Sequence, residues 1–286
     1  MNKSMKSLNE NIFRQYSKWK TGYERKENSL QMRLNNFLSN ERNRLYADVC
    51  HISEDGKHVD CDTDVYIFDE DLIDGKFPLP FGKIKGDFFC DNCKKLISLE
   101  GAPKEVDVNF ICSKCPNLTS LKGSPRIVKG GFGCSRCDKL VSLEGAPEEV
   151  GGSFLCIGCS SLTSLVGATE EVGDNFSCSD CPKLTSLEGA PKVVVGEFSC
   201  IGCKKLKSLK GAPEKVGGFN CRNCENLKSL EGATEKVGGD FLSYSCPNLT
   251  SLEHLPKEIN GSLYVDRRFT GEVPSDISVK YNKIYY

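Results

Sequence analysis

Residues 88–106 read FFCDNCKKLISLEGAPKEV, residues 110–128 read FICSKCPNLTSLKGSPRIV, and the phrase returns eight times between Phe88 and Ile259. Its common form is close to F-x-C-x-x-C-x-x-L-x-S-L-x-G-A-P-x-x-V. The first cysteine falls at Cys90, Cys112, Cys134, Cys156, Cys178, Cys200 and Cys221, with Ser243 in the last copy. The second falls at Cys93, Cys115, Cys137, Cys159, Cys181, Cys203, Cys224 and Cys246. The step is 22 residues, shortened once to 21 at Val216-Gly217-Gly218-Phe219. A fixed short period is the mark of a solenoid, whose single coil cannot bury its apolar side until its neighbours stack on it.

Phe and the first Cys stand two apart, as Phe110 and Cys112 do, so on an extended strand they point to one side, and that side faces inward. The second Cys, the two leucines (Leu96 and Leu99 in the first copy) and the closing valine (Val106) supply the other inward positions. Gly101, Gly123, Gly145, Gly167, Gly189, Gly211 and Gly232 recur at one corner, which calls for a positive φ or a close backbone approach. Proline follows at Pro103, Pro125, Pro147, Pro191, Pro213 and Pro256, stiffening that corner, while Thr169 and Thr234 show that it is dispensable. Stacking places equivalent residues about 4.8 Å apart, so Phe lies on Phe and Cys on Cys.

Outside the repeats the chain changes character. Residues 1–48 carry ten Lys/Arg against five Asp/Glu, and residues 49–84 carry three against nine; the remaining 25 of each sign cancel. The repeat body therefore has no net field to draw in a polyanion. Leu8, Ile12, Tyr16, Trp19 and Tyr23 recur at helical spacing, and Leu30, Leu34, Phe37, Leu38 and Leu45 continue the stripe, with Asn28-Ser29 as a possible break. This predicts a basic amphipathic helical cap over the open end of the solenoid. A nucleic-acid or membrane-surface role for that helix is the competing reading.

From Val49 to Cys61 the sequence predicts a β-hairpin about Asp55-Gly56, the type I′ dipeptide, pairing Cys50 with Cys61, His51 with Asp60 and Ile52 with Val59. That register sets Cys50 and Cys61 on the face opposite His51, His58 and Asp60, which disfavours a shared zinc site and favours a packed or cross-strand pair of cysteines. Asp60, Asp62 and Asp64 open like a calcium loop, but Val65 replaces the needed glycine and Asp71 the closing glutamate. Val65 and Ile67 match Phe88 and Cys90, and Pro80 and Ile84 match Pro103 and Val106, so a lead-in coil precedes the repeats. After residue 261, Leu263, Val265 and the alternating tail from Ile277 to Tyr286 are suited to closing the far edge.

The pattern V-x-x-x-F-x-C-x-x-C-x-x-L-T-S-L resembles the leucine-rich repeat, and the LTSL phrases at Leu118 and Leu184 resemble the short LTSLP-type repeats of bacterial effector proteins. The resemblance spans residues 65–265. It implies a curved solenoid with a parallel sheet on its concave face, a helical N-terminal cap and a protein-binding role. The polar ladder residue of that family is Cys in all eight copies here, so thiols must stand in for it. Effectors with ligase activity carry a large catalytic domain after the repeats, whereas residues 262–286 follow them here, so that activity is not expected.

The fold expected is thus a leucine-rich-repeat-like parallel β-solenoid of eight ~22-residue coils. Its parts are a helical cap at 1–48, a hairpin and lead-in coil at 49–84, the repeats at 85–261 and a β cap at 262–286.

Seven Cys-x-x-Cys pairs raise zinc binding and redox chemistry as alternatives. Strand parity turns the first Cys inward beside Phe, and Ser243 replaces one without other disturbance, as a packing column permits and a ligand pair does not. Met1–Asn11 lacks the apolar core of a signal peptide and no later run is long and apolar enough for a membrane helix, so a cytoplasmic protein with free thiols and no metal or other cofactor is expected. No phosphate-cradling loop or nucleophile–histidine pair is present, so no enzyme is expected.

The residues flanking Phe and Cys must point outward. Most are small or polar; the apolar exceptions are Phe89, Ile111, Leu155, Ile157, Ile201, Leu242 and Tyr244, the candidate partner-binding set. A protein partner is expected there, though the N-terminal helix or a second copy of the chain would also cover such positions. The basic run Lys204, Lys205, Lys207 and Lys210 faces Glu188 and Glu231 on neighbouring copies, which favours a charge-paired surface over nucleic-acid binding.

Overall fold

A computed structural model describes residues 30–270 and 272–286. Two parallel ladders run its length. One joins Val65, Phe88, Phe110, Phe132, Phe154, Phe176, Phe198, Phe219, Phe241 and Leu263 in unbroken register. The other joins Ile84, Val106, Val128, Val150, Val172, Val194, Val216, Val237 and Ile259. The result is a parallel β-solenoid of about ten coils. Most rungs are two-residue strands such as Phe110–Ile111, because each coil turns again at once. Where the repeat loses one residue, the strands lengthen to Val193–Ser199 and Lys215–Asn220, and a register shift between Val194 and Glu197 absorbs the deletion.

The core is a set of columns. The eight repeat phenylalanines are at most 1% exposed, and successive rings lie 4.9–5.6 Å apart. Each such burial contributes about 2 kcal/mol. Beside them run the leucine columns and both cysteine columns, all buried.

Each corner closes by a set of bonds that explains the rest of the phrase. In seven of the eight copies the serine of L-x-S-L accepts a hydrogen bond from the amide two residues on, as Ser186 Oγ does from Glu188 at 3.0 Å. The alanine amide then donates to the leucine carbonyl, as Ala146 does to Leu143 at 3.0 Å. That turn needs a positive φ at its third residue, and Gly145 has φ +88°. A Cβ there would sit 2.5 Å from the Lys122 amide nitrogen, so the coils can approach only over glycine. In the eighth copy His254 takes the place with φ +65°. Thr169 and Thr234, which replace proline, donate through Oγ1 to Glu148 O and Pro213 O in the preceding coil.

The hairpin has the expected register, Cys50–Ile52 against Val59–Cys61. Its turn differs from type I′: Gly56 alone has positive φ, and its amide donates to Ser53 O at 2.8 Å. Cys50 and Cys61 are joined by a disulfide, against the expectation that every thiol is free. Register causes this, since directly opposed residues are the ones close enough to bond.

Residues 30–39 are helical, and a 3₁₀ turn follows at Glu41–Tyr46, its start capped by Asn40 Oδ1 accepting from the Arg42 amide. Leu30, Leu34 and Phe37 bury against the lead-in coil, where Phe37 meets Phe81 edge-on at 6.2 Å. Leu45 does not continue the stripe. It is 66% exposed, because the change to 3₁₀ winding rotates it outward. Leu8, Ile12, Tyr16, Trp19, Tyr23 and Asn28-Ser29 lie outside the described residues.

The C-terminal tail closes the far edge by adding a rung. Ser278–Val279 and Lys283–Tyr285 pair in parallel with Glu258–Ile259 and Leu263–Val265, adding a further coil. Its alternation fits a rung as well as a cover, and the ladder register decides between them.

Candidate functional site

The sulfur columns come first among candidate sites. Each second cysteine donates its thiol to the carbonyl of the first cysteine one coil earlier: Cys115 to Cys90, Cys137 to Cys112, Cys159 to Cys134, Cys181 to Cys156, Cys203 to Cys178, Cys224 to Cys200 and Cys246 to Cys221, at 3.2–3.3 Å. Cys93 begins the series by donating to Ile67 at 3.4 Å. The carbonyl it serves turns inward where the strand ends, so a thiol supplies the donor that the corner lacks.

Fifteen cysteines are free and buried. Burial pushes Cys159 and Cys246 up to about 12 and raises Cys90, Cys134, Cys156 and Cys221. Cys137 and Cys224 move down instead, each under the influence of one neighbouring thiol, Cys115 and Cys200 respectively. Among the described residues no three His, Cys, Asp or Glu side chains converge as metal ligands.

The acidic run near the hairpin is spent on the next coil. Asp60 Oδ1 accepts from the Lys83 amide at 2.7 Å, Asp64 Oδ1 from the Asp87 amide at 2.8 Å, and Asp62 pairs with Lys85 at 2.9 Å. The three carboxylates cap three separate sites and do not converge. Of the basic run, Lys204 pairs with Glu225 at 3.0 Å and Lys210 with Glu231 at 2.9 Å.

The outward positions of the Phe ladder form the other candidate. Phe89, Ile111, Leu155, Ile157, Ile201, Leu242 and Tyr244 are all half-buried. They fall into three groups. Phe89 pairs with Ile111, and Tyr66 stacks on Phe89 at 5.1 Å. Leu155 and Ile157 share a coil, with Ile201 two coils on. Leu242 and Tyr244 lie near the C-terminal end, where Tyr286 stacks on Tyr244 at 4.4 Å.

Between Ile157 and Ile201 the face sinks into a depression of ≈ 580 Å³. Its floor is a chain of hydroxyls: Ser177 Oγ donates to Ser179 Oγ at 3.0 Å, and Ser179 and Ser199 share a bond at 2.9 Å. All three serines are under 9% exposed although they point outward, because the larger residues beside them overhang. Sequence parity picked out the isoleucines and passed over this floor.

A second feature was missed. Asn92, Lys114, Arg136, Gly158, Asp180, Gly202, Asn223 and Ser245, two residues past the first cysteine position of each copy, all have φ between +55° and +69°. The signal in the sequence is Asn, Asp or Gly in five of the eight, the residues that adopt this conformation most readily.

No family model, curated protein or solved structure matches this chain. Among the described residues no helix is long and apolar enough to cross a membrane.

Proposed function

We propose that this protein is a non-catalytic scaffold that binds a protein partner through the outward face of its Phe ladder. The observation that carries the reading is the run of half-buried apolar side chains, Leu155, Ile157, Ile201 and Leu242, on a face whose strand amides and carbonyls already bond to adjacent coils. Such a face recognises through side chains alone, and grouped apolar residues on it mark interaction surfaces. The resemblance to the leucine-rich repeat supports the same use.

The thiols favour this reading over redox chemistry. A nucleophilic cysteine needs a thiolate within reach of solvent, whereas these are enclosed and the second cysteine of every copy donates to a carbonyl. The test is affinity capture from the source cells with Leu155→Asp and Ile157→Asp. Both should abolish capture of the natural partner and leave the melting curve in place. Capture that survives both would refute the reading.

A further inference from the structure

The depression beside Ser179 has chemistry that narrows the partner. We propose that it takes a lysine or arginine side chain from an extended basic segment of the partner protein, an inference resting on the scaffold reading above.

Charge points to a cation. On the other faces, ion pairs link coil to coil, as Lys204 with Glu225, Lys210 with Glu231 and Lys236 with Glu258. Asp180 and Glu197 line the depression, and neither has a lysine or arginine within 4.0 Å among the described residues. Asn220 Nδ2 donates to Glu197 Oε1 at 3.4 Å and steadies it. The Asp180 carboxylate lies over Gly202, in the space that a Cβ there would take. The one arginine on the rim, Arg222, is turned to Tyr244, donating to its hydroxyl at 2.9 Å.

Shape points to a long side chain. Ile157 and Ile201 stand two coils apart, roughly 9.6 Å at the sheet spacing, with only Ser179 between them. That slot holds an aliphatic stem between two apolar walls and leaves its charged end free to reach a carboxylate, the usual way in which lysine and arginine bury. The hydroxyl chain beneath adds an oxygen-rich floor. An acidic side chain would meet Asp180 and Glu197 as like charges.

The test is fluorescence anisotropy on the full chain with a fluorescein-labelled ten-residue peptide of alternating lysine and serine, against the same peptide with glutamate for lysine. The lysine peptide should bind and weaken with added salt, and the glutamate peptide should not bind. Asp180→Asn and Glu197→Gln should each weaken binding about fivefold, and Ser179→Leu should block the slot in a protein that still melts normally. Glu149→Gln with Glu171→Gln, on the other ladder, should leave binding unchanged. Failure of the lysine peptide to bind, or equal loss in that control, overturns the inference. The scaffold reading fails separately, if capture of the natural partner ignores Leu155→Asp while the lysine peptide still binds.

Discussion

Ser243 continues the first sulfur column one coil past Cys221, and its hydroxyl is fully buried with no hydrogen-bond partner among the described residues. A buried hydroxyl without a partner costs about 1–3 kcal/mol, whereas a thiol of similar shape behaves as a small apolar group. Ser243→Cys should therefore stabilise the protein by about 1 kcal/mol. The measurement is urea unfolding under reducing conditions, where the midpoint should rise at an unchanged slope. A fall in the midpoint would mean that the eighth coil is too tight for sulfur.

The same columns set a pH limit. Burial pushes Cys159 and Cys246 up to about 12, while an unfolded thiol titrates near ~8.5. Between those values the unfolded chain releases protons that the folded chain keeps, so stability falls as pH rises. Below about pH 7 the thiols contribute little to the slope. One unit above the unfolded value each enclosed thiol of this kind removes about 1.4 kcal/mol, and several together exceed the stability of an ordinary domain. Urea midpoints at pH 6.5, 7.5, 8.5 and 9.5 with a reductant present should be nearly level over the first interval and fall with increasing steepness over the next two. A level curve throughout would show that the thiols ionise without unfolding.

Thiol counting separates the two kinds of cysteine. Fifteen are free and enclosed, and Cys50 is bonded to Cys61 across a separation of 11 residues. A chromogenic disulfide reagent should react with almost none in the native protein, with 15 in urea and with all 17 once the chain is also reduced. A bond closing so short a loop is worth about 3 kcal/mol through the unfolded state. Replacing both Cys50 and Cys61 with serine should lower non-reducing stability by up to about that amount, and the loss should be smaller in reductant.

What the sequence made legible follows from what repeats. The step of 22 and the Phe–Cys parity specify register, because a slip of one residue would turn every phenylalanine outward. The Asp60, Asp62 and Asp64 run shows only an incomplete calcium loop in the sequence, yet Asp60 and Asp64 bond amides of the next coil; that role depends on stacking and leaves no local pattern. Alternation in Ile277 to Tyr286 marked the tail as closing the far edge but did not say whether as a rung or a lid; its parallel pairing makes it a rung. The candidate face was half legible. Parity placed Ile157 and Ile201 outward, but Ser177, Ser179 and Ser199 gain meaning only when the isoleucines two coils apart overhang them. The left-handed column was open to a frequency count of Asn, Asp and Gly, but Lys114 and Arg136 disguise it.

Arg136 and its neighbour in the next coil supply the last test. Arg136 holds φ +55°, and Gly158 at the same position of the next coil holds φ +69°. A side chain in this region costs about 1–2 kcal/mol, and the wider freedom of glycine in the unfolded chain returns about 0.4–1 kcal/mol of that. Arg136→Gly should thus stabilise by about 0.5 kcal/mol, and Gly158→Ala should destabilise by at least as much. The two are coupled as well, since a Cβ on Gly158 would press to 3.3 Å from Arg136 Cγ. Removing the arginine side chain relieves that contact, so Gly158→Ala should cost less in the Arg136→Gly background than alone. Additive midpoints in the double-mutant cycle would mean that strain in this column is borne coil by coil, without contact between neighbours.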